Sequence, residues 1–524
     1  MAAIITDQLR IVNAKKFVDN VRDQNNSFYV FVGLPNATDY NPTWDENPPF
    51  PIDNFYEENS CWDSMIALKK ISSDDVRQVV RKVRWQSGIT YDMYRHDISV
   101  NSRAVPSGSA SLYSSNYYVM NSDYRVYICL YNGISPEYPN GSPSLDEPTF
   151  VDLEPREAGT SGDGYIWKYL YTISPREIAK FDSTSFMPVP IDWETNQNYA
   201  SIRQNALTSG QIKIVTITNR GVGLGTAGQV YTRVPIRGDG SGAEATVTVD
   251  NESKIGSVTV SKGGSGYTFG TLDLTGKIPP GTTQPVFNVI IPPQNGHGYD
   301  VYRELGASNI LLYTRLDNDT EDYPDFIIGN QIAKIGIIEN PQAFDSNSVL
   351  TLPRASAIPA LKLTGTGSDT ITFPQDSFIT QTISVGQTAV GRVISYNQST
   401  GVLKFWQDKS MAGFNTNGSQ NPNPKYGFNL NKFTSNVPDP LTQLYISGQN
   451  SSALQIDVGF GKTSNPGITT VINNRIYQLG QSFINGIAQP EVKKYSGKIV
   501  YVDNRPSITR STTQKEDIKI ILQF

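Results

Sequence analysis

Apolar positions recur along this chain at two spacings, and those spacings divide it into elements. In residues 7–24, Ala14, Phe17, Val18 and Val21 share one helical stripe behind Asp7, a residue that can cap a helix, so a helix is predicted here. "SFYVFVGLP" (27–35) is a continuous apolar run stopped by Gly33 and Pro35, the pattern of a buried strand. Residues 36–60, with "NPTWDENPPFP", show no periodicity and are too long for a plain connector, which predicts a loop laid along a surface or a partner. Val76, Val79, Val80 and Val83 fit a helical stripe, yet four valines suit a strand equally, so 72–85 stays open. "YRVYICLYNG" (124–133) reads as a strand ending in a turn.

The next strand has the strongest pattern. In "SGDGYIWKYLYTIS" (161–174), Gly162 and Gly164 flank Asp163 and mark a turn, and Tyr165, Trp167, Tyr169 and Tyr171 then alternate. Alternation predicts a strand with one bulky face. Tyr and Trp bury a large area while keeping a polar tip, which suits either core packing or contact with a partner.

Beyond residue 206 the texture changes. Residues 209–290 alternate strand-like runs with Gly-rich turns ending near a tyrosine, a short internal β-repeat closed by "IPPQNGHG" (291–298). Mixed texture returns in 299–341, which holds "LDNDTEDYP" and "GNQIAKIGIIENP". A second polar, β-rich region follows, with the alternating "AVGRVISYNQSTGVLKFW" and an Asn-, Gly- and Pro-rich loop at 412–425. At the end of the chain Ile518, Ile520, Leu522 and Phe524 alternate, which predicts a paired C-terminal strand.

Composition narrows the function. At 524 residues the chain exceeds the usual size of one core, and 38% apolar residues with 43 Gly support large folded domains. The formal net charge of −5 and the absence of a long basic run disfavour nucleic acid as the main ligand. Cys61 and Cys129 are the only cysteines, so no disulfide framework is expected. The first residues lack the pattern of a secretory signal, and no apolar run reaches the ~20 residues of a spanning helix. A soluble protein made in the cytoplasm, without membrane contact, is the expectation.

Motifs that suggest chemistry are weak. Gly223, Gly225 and Gly228 spell G-x-G-x-x-G, but a β-like, proline-containing run follows where a dinucleotide loop needs a helix. "DVGFGKTS" (457–464) ends like a phosphate loop, with Ile456 where the first glycine should stand. Asp317, Asp319, Glu321 and Asp322 put Asp322 where a calcium loop needs glycine. His96 and His297 are the only histidines, too few for a multi-histidine zinc site. "RGD" (237–239) is too short to be specific. No cofactor, metal or catalytic residue is expected, and the protein reads as a non-enzyme.

Several separated blocks together resemble a known family. Trp62, Met65, Trp85, Gly88, Tyr91 and Asp92, then "GDGYIWKYLYTI", "MPVP" (187–190), "LDNDTEDYP", "GNQIAKIGIIENP" and "SGKIVYVDNRPSI…EDIKIILQF" are similar, in this order, to blocks of the baseplate wedge protein of T-even-type contractile-tailed bacteriophages, gene product eight. The resemblance covers about half the chain. It implies a mainly β, multi-domain fold with few helices and a β-sandwich-like core. That core would comprise 1–205, 298–341 and the C-terminal strands of 495–524, with β-rich modules inserted at 206–297 and 342–494. It also implies a structural subunit of the virion tail baseplate, a homodimer whose partners are other wedge proteins. Trp62, Trp85, Tyr91, Gly164, Tyr165, Trp167, Tyr169, Asn504, Arg505 and Pro506 are the structural or interface candidates. A glycan-binding tail adhesin and a tail-associated glycan hydrolase are the alternatives.

Overall fold

The N-terminal helix runs from Asp7 to Arg22, with Ile11, Ala14, Val18 and Val21 buried and Phe17 half-buried, as the stripe requires. Its cap differs from expectation. Thr6 rather than Asp7 closes the first turn, its Oγ1 accepting from the Leu9 amide at 3.3 Å, while Asp7 is the first helical residue and places its charge at the positive end of the helix. The computed structural model describes residues 4–35, 43–317, 331–344, 346–365, 371–374, 377–384, 387–406, 425–426, 444–446, 454–509 and 515–524. The protein is mainly β, built from several antiparallel sheets with few helices, as the patterning predicts.

Two units divide the chain: Met1–Val18, Arg77–Leu312 and Ile520–Phe524 in the first, Asp19–Val76 and Tyr313–Lys519 in the second. Strand pairing makes the second unit discontinuous in sequence: Phe28–Gly33 bonds to Met65–Lys70 and to Gln331–Glu339, so early and late parts of the sequence share one sheet.

In the first unit, Tyr118–Met120, Arg125–Asn132 and Tyr165–Thr172 form a three-stranded antiparallel sheet over the largest apolar cluster. The open stretch 72–85 resolves as a short 3₁₀ turn, Ser73–Asp75, followed by a strand, Val76–Arg81, whose Val79 and Val80 pair with Pro188 and Met187. Branched Cβ atoms and burial from Val76 through Val80 decide for the strand. The Gly-rich segment folds as a sheet ordered Ile255–Ser265, Ser241–Val249, Val230–Gly238, Gly270–Leu272, beside the pair Ile214–Asn219 and Val286–Ile290. Its buried side chains, among them Val234, Ala245, Val247 and Ile255, form an apolar cluster drawn only from residues 212–291.

In the second unit a five-stranded sheet is ordered Arg354–Ser356, Met65–Lys70, Phe28–Gly33, Gln331–Glu339, Lys498–Thr509. Residues 36–60 are not entirely irregular: Asn54 accepts from the Glu57 amide at 2.8 Å and caps a helix, Phe55–Ser64, that begins inside the expected loop. The late β-rich region centres on the hairpin of Gln387–Asn397 and Val402–Trp406, which continues through Ala360–Thr364. The loop at 412–425 lies, except for Lys425, outside the described residues.

Candidate functional site: the aromatic strand and the C-terminal strap

The turn before the aromatic strand is built by Asp163. Its Oδ1 accepts from the Tyr165 amide at 3.0 Å and its Oδ2 from the Leu145 amide at 2.8 Å, which ties the strand start to the preceding loop. Gly164 stands at φ +78 with its Cα face toward Gly133, itself at φ +70. Both positions are left-handed, where a Cβ is strained.

Along the strand, Tyr165, Trp167, Tyr169 and Tyr171 pair with Asn132, Cys129, Tyr127 and Val126. Two one-residue bulges interrupt the register, with Leu130 extra on one strand and Leu170 on the other. The expectation of one uniform bulky face is therefore corrected. Tyr165 and Trp167 stack at 5.2 Å between centroids and are fully buried. After the bulge Leu170 and Tyr171 are both buried, and Tyr171 meets Trp193 edge-on at 6.2 Å. Tyr169 stays half-exposed against Tyr127, its hydroxyl 2.8 Å from Thr172 Oγ1. A bulge moves every later side chain to the other face, which strict alternation in sequence cannot reveal.

Hydrogen bonds bind the other candidates of this unit to the same stack. Tyr165 donates to the Ser142 carbonyl at 2.7 Å and accepts from the Tyr91 amide at 2.9 Å. The Tyr91 ring packs edge-on against Tyr165 and Trp167, and its hydroxyl accepts from the Gln86 amide at 2.6 Å. Burial pushes the phenols of Tyr91 and Tyr165 above their ordinary range, so both stay neutral donors. Trp85 donates its indole N–H to Ser144 Oγ at 3.0 Å. Trp85, Tyr91, Gly164, Tyr165, Trp167 and Tyr169 thus belong to one packed neighbourhood.

The remaining candidates lie in the second unit. Trp62 is buried, with the Tyr495 ring 6.4 Å away, and Tyr495 donates to Asp63 Oδ1 at 2.6 Å. Asn504, Arg505 and Pro506 sit on the strand Lys498–Thr509, where the first two hold their own chain: Asn504 donates to the Pro49 carbonyl at 2.9 Å, and the Arg505 carbonyl accepts from the Trp44 indole at 2.9 Å, while Pro506 is exposed. The Ser507 amide N–H also donates to Asp45 Oδ1 at 2.9 Å. Residues 43–49 therefore strap along this strand, and Trp44, which sequence reasoning passed over, is its buried anchor. A lone tryptophan in a proline-rich loop was the signal.

Other motifs resolve locally. Gly223, Gly225 and Gly228 all have positive φ and precede the strand Val230–Gly238 rather than a helix. The 457–464 stretch is a turn that leads to the strand Gly467–Ile472. Asp319, Glu321 and Asp322 lie outside the described residues. His96 Nδ1 accepts from the Ile291 amide at 3.2 Å, and His297 Nδ1 lies 2.5 Å from Glu304 Oε1 in the interior. Asp239 of the RGD triplet accepts from the amides of Thr268 and Phe269, so its carboxylate is engaged within the turn. Among the described residues no group of three or more His, Cys, Asp or Glu gathers as metal ligands, and no helix is long and apolar enough to cross a membrane.

Sequence reasoning also missed Lys168. It sits between Trp167 and Tyr169 and is 4% exposed. Its Nζ donates to the Leu153 carbonyl at 2.7 Å and to Asn205 Oδ1 at 3.0 Å. No family model matches this chain, and no curated protein matches it.

Proposed function

We propose that this protein is a structural subunit of a phage tail baseplate wedge, a homodimer that assembles with other wedge proteins to build the contractile tail baseplate. The observation that carries this reading is where the resembling blocks lie. The Trp85–Tyr91 block and the "GDGYIWKYLYTI" block interlock through Tyr91, Tyr165 and Trp167 in one core. The Met65, "GIIENP" and "KIVYVDNRP" blocks contribute strands to one five-stranded sheet. Blocks far apart in sequence are thus the packing partners of each other, as a shared scaffold requires. In this reading the aromatics hold shape, and contact with other proteins falls to the exposed loops.

The test has two parts. Light scattering on the purified full chain should give the mass of a dimer, and antibody labelling should place the protein at the baseplate end of tails. A trimer, or a label on fibres, would favour the adhesin. Release of reducing sugar from host wall glycans would favour the hydrolase.

A further inference from the structure

The buried lysine of the aromatic strand faces a side-chain amide rather than a carboxylate. Lys168 Nζ lies 3.0 Å from Asn205 Oδ1, and Asn205 Nδ2 donates to Glu154 Oε1 at 2.8 Å. The two contacts fix the orientation of the amide, because an ammonium must face oxygen and a carboxylate must face nitrogen. Glu154 Oε2 is held in turn by Lys213 Nζ at 3.1 Å. The outer side of Glu154 is open to solvent, whereas Lys168 is shut inside.

We propose that Lys168 and Asn205 form an intramolecular isopeptide bond, a self-catalysed cross-link with Glu154 as the proton carrier. In the reaction the neutral Nζ amine adds its lone pair to Cγ of Asn205, forming the C–N bond and a tetrahedral oxyanion. Glu154 takes a proton from Nζ and delivers it to Nδ2. The Cγ–Nδ2 bond then breaks and ammonia leaves. Amine plus amide gives a new amide plus ammonia, so no oxidant, reductant or co-reactant is required. Amide exchange of this kind is very slow between free groups in water, and what the fold supplies is permanent proximity and exclusion of bulk water at the amine.

The charge balance around the pair supports the step. Burial brings Lys168 down to about 8, with Glu304 and Glu154 pulling the other way and Lys213 adding to the fall. A usable fraction of the amine is therefore neutral near physiological pH. The hydrogen bond from Asn205 keeps Glu154 below the ordinary carboxyl range, so it is ionised and ready to accept a proton. The link would join the strand Tyr165–Thr172 to the helix Ala200–Ala206, just ahead of the Gly-rich segment, and so fix covalently the place where that segment leaves the core.

Intact-mass and peptide mass spectrometry on the full-length protein test this. The wild type should be lighter than its sequence by one ammonia, and trypsin should yield a branched peptide joining residues 157–176 to 204–213 through Lys168 and Asn205. The linked fraction should grow faster as incubation moves from about pH 6 to about pH 9, following loss of the amine proton. Lys168→Arg and Asn205→Ala should run at their own sequence masses, and Glu154→Gln should form the link roughly a hundredfold more slowly. A wild type at full sequence mass after prolonged incubation at the alkaline end would overturn the proposal and leave Lys168 as a hydrogen-bonded interior lysine. So would an ammonia loss that maps to other residues.

Discussion

The indole of Trp167 lies nearly parallel to the ring of Tyr165, 5.2 Å away and inclined by 11°, with the Tyr91 ring edge-on to both. Among the described residues the Trp167 N–H meets no acceptor, so the residue contributes mainly through its area and its fit. Trp167→Ala should therefore cost about 3–5 kcal/mol in urea unfolding. Trp167→Phe should cost less than half of that, because it keeps a stacked ring and drops a donor with no acceptor. A normally stable Trp167→Ala protein that fails to assemble would instead assign this ring to partner contact.

Gly133 and Gly164 offer a contrast in steric demand at similar φ. A Cβ on Gly164 would meet only the Gly133 Cα at 3.1 Å, whereas one on Gly133 would fall 2.4 Å from the Asp163 carbonyl oxygen. Gly164→Ala should cost about 1–2 kcal/mol, the left-handed backbone penalty. Gly133→Ala should cost clearly more, since backbone must shift to admit the methyl group. Equal melting temperatures for the two variants would contradict this account.

Asp239 gives the Gly-rich segment an acid-sensitive turn. Its hydrogen bonds from the Thr268 side chain and backbone lower its pKa from 3.8 to about 2. A carboxyl depressed in the folded state contributes stability above its unfolded pKa and loses it as pH falls through the folded one. Asp239→Ala should therefore melt below wild type at neutral pH, and the gap should close as pH falls from 3.8 to about 2. A gap that persists at the acid end would mean the carboxylate charge is not what holds the turn.

The Gly-rich segment should be removable. Its cluster draws only on residues 212–291, and the two ends of the segment meet, since a Cβ on Gly296 would lie 2.2 Å from the Ala206 carbonyl oxygen. Replacing residues 209–294 with a short Gly-Ser linker should leave a folded protein of unchanged oligomeric state by light scattering. The replacement also removes the hydrogen bonds of the Ile291 amide to His96 and of Asn288 to Asp97, and takes Ile290 out of the cluster under the aromatic strand. Aggregation or a changed mass would show that the segment completes the core.

What the sequence determined by itself was local. The helix at Asp7–Arg22, the buried strand Phe28–Gly33, the hairpin within 389–406 and the β character of the Gly-rich segment follow from periodicity and turn chemistry, which act between near neighbours. Tertiary structure decided whatever depends on a distant partner. The C-terminal alternation correctly marks a strand, Lys515–Gln523, yet only Ile520 of its four alternating residues is fully buried, because burial is set by what covers a face and not by the face. The bulge at Leu170 redirects Tyr171, and its cause is the register against Arg125–Asn132, a strand well upstream in the chain. The pairings of Trp44 with Arg505 and of Lys168 with Asn205 depend on distant partners in the same way. Hydrogen bonds between residues far apart in sequence leave no periodic trace, and only the closed fold brings their atoms within reach.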